Sequence, residues 1–264
     1  MNRKIVIRRY HLNHRIKAGQ GKFRIAFLTD LHNCTKDGDG ERIMALLKKC
    51  RPDLVLVGGD MLVGKVHGEI QPAIQFMKCL AEKYTVFYAN GNHEQRISKD
   101  PEKYGDMGEK YDHEIAKTKA VRLINQRADL ELRGIPVTVY GFEPDEHYYD
   151  KGFRKKGMVE ELEKTFGKPE QDRYTILLSH TPAYGREYLQ WGAELTLSGH
   201  YHGGVVLLGK KRGLATPDFH VFSEYCCGIR GSNTSSMIVS AGLGEHSVPI
   251  RIFNPRELTI VDVK

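Results

Sequence analysis

Phe23-Arg24-Ile25-Ala26-Phe27-Leu28-Thr29-Asp30-Leu31-His32 decides how this chain is read. Its first six residues are apolar apart from Arg24, and such a run, closed by polar residues, reads as a short buried strand. The strand then delivers a carboxylate and an imidazole two residues apart. Four more runs end the same way. Asp53-Leu54-Val55-Leu56-Val57 leads to Asp60, Thr85-Val86-Phe87-Tyr88-Ala89 to Asn92, Tyr174-Thr175-Ile176-Leu177-Leu178 to His180, and Glu194-Leu195-Thr196-Leu197 to His200 and His202. In open α/β folds, sites form beyond the carboxyl ends of the strands. Five strands ending in this manner can therefore bring together ligands that are far apart in sequence.

The donors are carboxylate, amide oxygen and imidazole, without a thiolate. That set suits Mn²⁺, Fe or Zn²⁺ and argues against a structural zinc knot. There are enough of them for two divalent metals sharing one carboxylate, an arrangement suited to hydrolysing phosphate esters. A lone Asp-x-His or Gly-Asp occurs often by chance. Five blocks in order at strand ends, with about thirty residues separating each of the first three, are far more specific.

Asp30-Leu31-His32, Gly59-Asp60, Gly91-Asn92-His93-Glu94, Ser179-His180 and Gly199-His200-Tyr201-His202 together resemble the motif series of the calcineurin-like metallophosphoesterase superfamily. Downstream stretches, including Gly228-Ile229-Arg230-Gly231 and residues 239–244 and 249–258, resemble its YkuE-like bacterial branch, so the resemblance extends from about Arg9 onward. It implies an α/β (α+β mixed) fold, a four-layer αββα sandwich of two mixed β-sheets flanked by helices. It also implies one metal on Asp30, His32, Asp60 and His202, and a second on Asp60, Asn92, His180 and His200, with Asp60 bridging. Two divalent ions are expected, Mn²⁺ first, with Fe or Zn²⁺ as alternatives. The reaction implied is attack of a metal-bridging hydroxide on phosphorus, with His93 as general acid. Glu94 is a candidate to orient His93.

The substrate class expected is a phosphodiester or pyrophosphate. Phosphomonoesterases of the protein-phosphatase type place Asp-Arg after the Gly-Asp block and Arg just before Gly-Asn-His-Glu. Here Met61-Leu62 follow Asp60 and Ala89-Asn90 precede Gly91. A dianionic monoester wants that extra positive charge. A phosphomonoesterase and a metal-bearing, non-catalytic scaffold stay open as alternatives, as do a nucleotide-diphospho-lipid, cyclic nucleotides and nucleic-acid ends as substrates. Arg96, Arg230 and Arg251 are candidate phosphate clamps, since a guanidinium fork matches phosphate geometry.

With 264 residues, 40% of them hydrophobic, the chain can build one large domain over residues 1–264; no linker or internal repeat divides it. Its net charge of +7 favours anionic partners, but no nucleic-acid motif accompanies it. The basic run 209–213 reads as a solvated turn. No apolar run reaches the ~18–20 residues of a membrane helix, and the charged N-terminus lacks a signal-peptide core. Many members of the YkuE-like branch carry an N-terminal membrane or export segment. Its lack here leaves two readings, a cytoplasmic protein or one whose segment has been removed, with peripheral membrane contact left open. Five cysteines, odd in number and irregularly spaced, suit a reducing compartment.

Helices are expected over 41–50, 70–83, 111–119, 158–166 and 183–191, with Asp39 as N-cap of the first. Further strands are expected over 121–124, 130–132, 137–140, 205–208, 219–223, 237–240 and 258–263. On this pattern the front half is α/β and the back half is mostly antiparallel. Residues 98–111 and 144–156 read as irregular insertions and candidate substrate walls. His11, His14, His67, His113, His147, His220 and His246 read as hydrogen-bonded surface residues, not ligands.

Overall fold

The computed structural model describes residues 4–14, 21–149, 155–204, 207–208, 212–213, 225–245, 251 and 254–264. The chain runs β1 (Ile5–Leu12), β2 (Phe23–Leu28), α1 (Asp39–Cys50), β3 (Leu54–Val57), α2 (Gln71–Lys83), β4 (Val86–Ala89), α3 (Asn92–Lys99), α4 (Pro101–Tyr104) and α5 (Met107–Ala116). It continues through β5 (Val121–Leu123), β6 (Gln126–Leu132), β7 (Ile135–Phe142), a 3₁₀ turn (Glu146–Tyr149), α6 (Met158–Phe166), β8 (Tyr174–Ser179), α7 (Gly185–Trp191) and β9 (Leu195–Ser198). A short ribbon, β10 (Leu207–Leu208) and β11 (Arg212–Gly213), precedes β12 (Gly228–Gly231), β13 (Ser236–Val239) and β14 (Arg256–Val263).

Two six-stranded mixed sheets form the centre. One has the order β1-β14-β2-β3-β4-β5, the other β12-β13-β9-β8-β7-β6. Residue alternation explains why they stack. Phe23, Ile25 and Phe27 of β2 and Leu54 and Leu56 of β3 face the second sheet, where they meet Val137, Val139, Ile176, Leu178, Leu195 and Leu197. The intervening Ala26, Leu28, Val55 and Val57 face outward onto Ile43, Leu47, Ile74, Met77 and Leu80 of α1 and α2. On the other side, Leu177, Met237 and Val239 pack against Leu162, Tyr188 and Trp191 of α6 and α7. Strands buried on both faces need apolar residues throughout, and burying each large side chain contributes about 1.5–3 kcal/mol. The result is the expected four layers.

Three expectations change. The back half is mixed: in the second sheet β7, β8, β9 and β13 run parallel, and within that sheet β6 and β12 join antiparallel at its edges. Residues 98–111 are not an irregular loop but fold into the end of α3, α4 and the start of α5. The first turn of α1 begins after Gly38 in the left-handed region, and Asp39 makes no N-cap bond. Its carboxylate binds Arg42 at 2.9 Å and Arg256 at 2.6 Å instead.

β1 is not among the expected strands. It pairs parallel with β14 over eight residues, Ile5 to Leu12 against Arg256 to Val263. Its charges suit a sheet edge, where Arg8 donates to Glu257 at 2.8 Å. His14 is another correction: it is a buried residue, its ring nitrogens 2.8 Å from the Tyr174 hydroxyl and 2.9 Å from Ser236 Oγ. His220, His246, the strand expected over 219–223 and most of the basic run 209–213 lie outside the described residues. No helix among the described residues is long and apolar enough to cross a membrane.

Candidate metal centre

Four of the five strand ends deliver their ligand-type side chains to one cluster, and the fifth, after β4, brings in His93 beside Asn92. Asp30 follows β2, Asp60 follows β3, Asn92 opens α3 just after β4, His180 follows β8, and His200 follows β9. The turns are sewn together by backbone hydrogen bonds. The Asp30 amide donates to the Gly59 carbonyl at 2.9 Å, and the His32 amide to the Asp60 carbonyl at 3.0 Å. The His200 amide donates to Asp30 Oδ1 at 3.0 Å, which ties the second sheet's turn to the first.

The geometry requires unusual backbone. Among the described residues eleven non-glycine positions have positive φ, and Asp30 (53°), His32 (47°), Asp60 (53°), His200 (67°) and His202 (49°) are five of them. A left-handed conformation costs a non-glycine residue of order 1–3 kcal/mol and clusters where function requires a fixed side-chain direction. Close approach sets the glycines too. A Cβ on Gly91 would sit 2.2 Å from Asp60 Oδ1, and one on Gly199 would sit 2.2 Å from Asp30 Oδ2.

Three overlapping groups of donors result: Asp30 with His32 and His202, His32 with Asp60 and His93, and Asp60 with His180 and His200. His32 Nε2 and His202 Nε2 are 3.1 Å apart, and His202 Nε2 is 3.3 Å from Asp30 Oδ1. His180 Nε2 lies 3.0 Å from Asp60 Oδ2 and 3.8 Å from Asp30 Oδ1. Nitrogens sharing an ion at bond lengths of about 2.0–2.1 Å lie about 3 Å apart, so these donors fit a cation. Asn92 Oδ1 is buried and accepts no hydrogen bond among the described residues. A polar oxygen in that position is costly unless something electropositive meets it.

Ring tautomers divide the histidines. His180 Nδ1 lies 2.6 Å from the Gly58 carbonyl and must donate to it, which leaves Nε2 as a lone pair in the neutral ring. His93 is the reverse: the Gly64 amide donates to its Nδ1 at 2.7 Å, so in the neutral ring Nε2 carries the proton. That Nε2 is 3.8 Å from Asp60 Oδ2. The tautomer separates His93 from the ligand-ready rings although it lies among them.

Charge follows the same geometry. Burial alone would raise the Asp60 carboxyl, but His180, His93 and His32 outweigh it and hold it well below the usual range. Burial works against an imidazolium at His180, yet Asp60 and then Asp30 push its pKa up to about 10.

Several residues of the site take roles that the sequence does not announce. The Glu94 carboxylate is engaged away from His93. It accepts from the amides of Asp60 (2.8 Å), Met61 (2.8 Å) and Gly91 (2.9 Å), stapling the turn after β3 to the start of α3. The signal for this is its position three residues after the helix cap, where an acidic side chain reaches back to the cap amide. Tyr149, from the 3₁₀ turn, packs its ring edge-on at 5.5 Å from His200. Of the three arginines, Arg251 turns to the Ala241 carbonyl (2.8 Å) and stands 3.3 Å behind His202 Nδ1. Arg230 donates to the neighbouring Ile229 carbonyl on β12. Arg96 lines a cavity next to a candidate ligand, Asn92.

Residues 23–206 match the calcineurin-like phosphoesterase family. The chain belongs to that family. It is 26% identical over 248 residues to an uncharacterized metallophosphoesterase of Helicobacter pylori, covering 90% of this chain and 58% of that protein. It is 29% identical over 105 residues to the uncharacterized metallophosphoesterase YkuE of Bacillus subtilis, covering 39% of this chain and 36% of YkuE. Among solved structures, TT1561 of Thermus thermophilus superposes with a TM-score of 0.53 at 14% identity, over 85% of this chain and 92% of that one. At that identity the likeness speaks for the fold alone. The chain spans less than two thirds of the length of its Helicobacter and Campylobacter relatives. As a member of this metallophosphoesterase family, the protein has His/Asp clusters that can hold metal ions where the strands end.

Proposed function

We propose that the chain is a two-metal phosphoesterase acting on phosphodiester or pyrophosphate bonds. The position of Asp60 carries this reading. Its Oδ2 lies 3.0 Å from His180 Nε2 and 3.9 Å from His32 Nε2, so a single carboxylate serves donors on both sides. Asp30, His32, Asp60 and His202 would hold one ion, and Asp60, Asn92, His180 and His200 the other. The donor set suits Mn²⁺ first, with Fe or Zn²⁺ as alternatives. When bound, such ions polarise phosphate oxygens and make water nucleophilic near neutral pH.

The chain's own residues supply the rest. The bond between Gly64 and His93 Nδ1 keeps a proton on Nε2, at the mouth of the cluster, where it can pass to a departing oxygen. Glu94 fixes the Asp60 turn against α3, so that the shared carboxylate and the acid keep their relative position. The preference for diesters rests on what stands beside the ligands. Asn90, just before Gly91, is a neutral amide that accepts from Arg122 at 2.7 Å and donates to Glu143 at 2.6 Å, so no arginine stands at that position to meet a dianionic phosphate.

The test is hydrolysis of bis(p-nitrophenyl) phosphate beside p-nitrophenyl phosphate by metal-stripped protein refilled with Mn²⁺. Diester preference that disappears with chelator is the expected result. Faster monoester turnover would replace this reading with a phosphomonoesterase, and metal binding without turnover of either would favour a scaffold.

A further inference from the structure

Beside Asn92 lies a cavity of about 280 Å³ whose walls come from α3, α4 and the 3₁₀ turn Glu146–Tyr149. Asn92 and Tyr149 connect it to the candidate metal centre, the first through its buried oxygen and the second through its ring against His200. Arg96 stands one helical turn beyond Asn92. Its Nε donates to the Asn92 carbonyl at 3.1 Å, which fixes the guanidinium relative to that residue. Among the described residues Arg96 forms no ion pair. Lys103, across the cavity, forms none either; its ammonium lies 5.3 Å over the Tyr104 ring.

The lining also holds two carboxylates, and they are engaged differently. Asp100 accepts from the Lys103 amide at 3.1 Å as the cap of α4, and Glu146 is exposed on the rim. Of the two cations lining the cavity, Arg96 is the one bonded to a candidate ligand residue, Asn92. A planar guanidinium with its remaining N–H groups available is built to take a phosphate in bidentate fashion.

We infer that this cavity is the leaving-group subsite, and that Arg96, assisted by Lys103, selects substrates whose leaving half carries a second phosphoryl group. The inference rests on the phosphoesterase reading and deepens it toward diphosphate-linked substrates. In the step, water oxygen bonds to the attacked phosphorus and gives up a proton to solvent, while the bridging P–O bond breaks, its electron pair staying on the departing oxygen, which takes the proton held on His93 Nε2. The leaving half departs with its second phosphate attached and seated on Arg96.

The test compares two substrates differing only by that phosphoryl group, bis(p-nitrophenyl) phosphate and bis(p-nitrophenyl) diphosphate. It uses the Mn²⁺-refilled full chain and the variants Arg96→Gln, Arg96→Lys and Lys103→Gln. The ratio of kcat/KM for the diphosphate over the diester should fall about tenfold in Arg96→Gln, as loss of one charge-assisted contact implies. Arg96→Lys should recover part of it, and Lys103→Gln should lower it by less. An unchanged ratio in both glutamine variants overturns the proposal. Calorimetric binding of diphenyl methylenediphosphonate beside phenyl methylphosphonate gives a second readout independent of turnover. If neither substrate is hydrolysed, the phosphoesterase reading fails, and binding still decides the subsite. A diphosphonate preference lost in Arg96→Gln upholds it, and no preference overturns it.

Discussion

The Gly64 amide donates a 2.7 Å hydrogen bond to Nδ1 of His93, whereas Nδ1 of His180 donates to the Gly58 carbonyl at 2.6 Å. Two rings within one donor cluster are thereby set to opposite tautomers by backbone groups alone. In the neutral rings one presents a lone pair to the cluster and the other a proton. Residue type cannot distinguish them, because both are histidines following a strand.

His93→Ala should therefore retain bound metal and lose proton delivery. General acids contribute about 10²–10⁴-fold when the leaving group is poor. The expected loss is of that size for an alkyl phosphodiester and much smaller for a p-nitrophenyl one, whose leaving oxygen needs little help. Rates on both esters, with metal content measured by elemental analysis, check this. Equal losses on both would remove the acid role.

Asp60→Asn should uncouple the two halves of the centre. Removing a charge from the shared ligand is expected to lower metal stoichiometry from two toward one per chain. Turnover should fall at least about a hundredfold, since even outer partners of metal ligands are worth 10–100-fold. Elemental analysis and diesterase rates on the same sample read both quantities. Two ions retained with a near-normal rate would exclude bridging by Asp60.

The strand ends are legible in the sequence because burial on both faces forces a run such as Leu54-Val55-Leu56-Val57, and a ligand type directly after it has few other reasons to be there. α6 is legible for the complementary reason, a strong apolar stripe through Met158 and Leu162. β1 is hidden because an edge strand tolerates Arg8, Arg9 and His11, which pattern reading takes for loop. Residues 98–111 pass for a loop because α4 is only four residues long and shows too little periodicity to reveal a helix. The parallel order in the back half is invisible, since alternation says which face is buried and not which neighbour a strand takes. The role of Glu94 is obscured for a related reason. Adjacency to His93 suggests a contact, while helix geometry turns neighbouring side chains apart.

Glu94 is best tested through stability. Its buried carboxylate satisfies three amides, and leaving a buried donor unsatisfied costs about 1–3 kcal/mol. Glu94→Ala should lose about 3 kcal/mol or more, read by urea unfolding of metal-free protein. Glu94→Gln, which keeps one acceptor oxygen, should lose less. A neutral Glu94→Ala would show that the β3 turn and α3 are held together by other contacts.

His14 provides the pH prediction. Burial pushes its pKa down to about 4, from the ordinary value of 6.5. The folded state therefore resists protonation that the unfolded chain accepts. Its contribution to stability is fully present above pH 6.5 and declines as pH falls from there toward about 4. The loss by pH 4.5 is about 2–3 kcal/mol. Urea unfolding of metal-free wild type and His14→Asn at pH 7 and pH 4.5 isolates the effect, because the titration of every other group cancels in the difference between the two proteins. His14→Asn should be the less stable protein at pH 7, having lost the contacts to Tyr174 and Ser236, and the gap should narrow at pH 4.5. A gap that is the same at both pH values would mean that His14 does not titrate between folded and unfolded states.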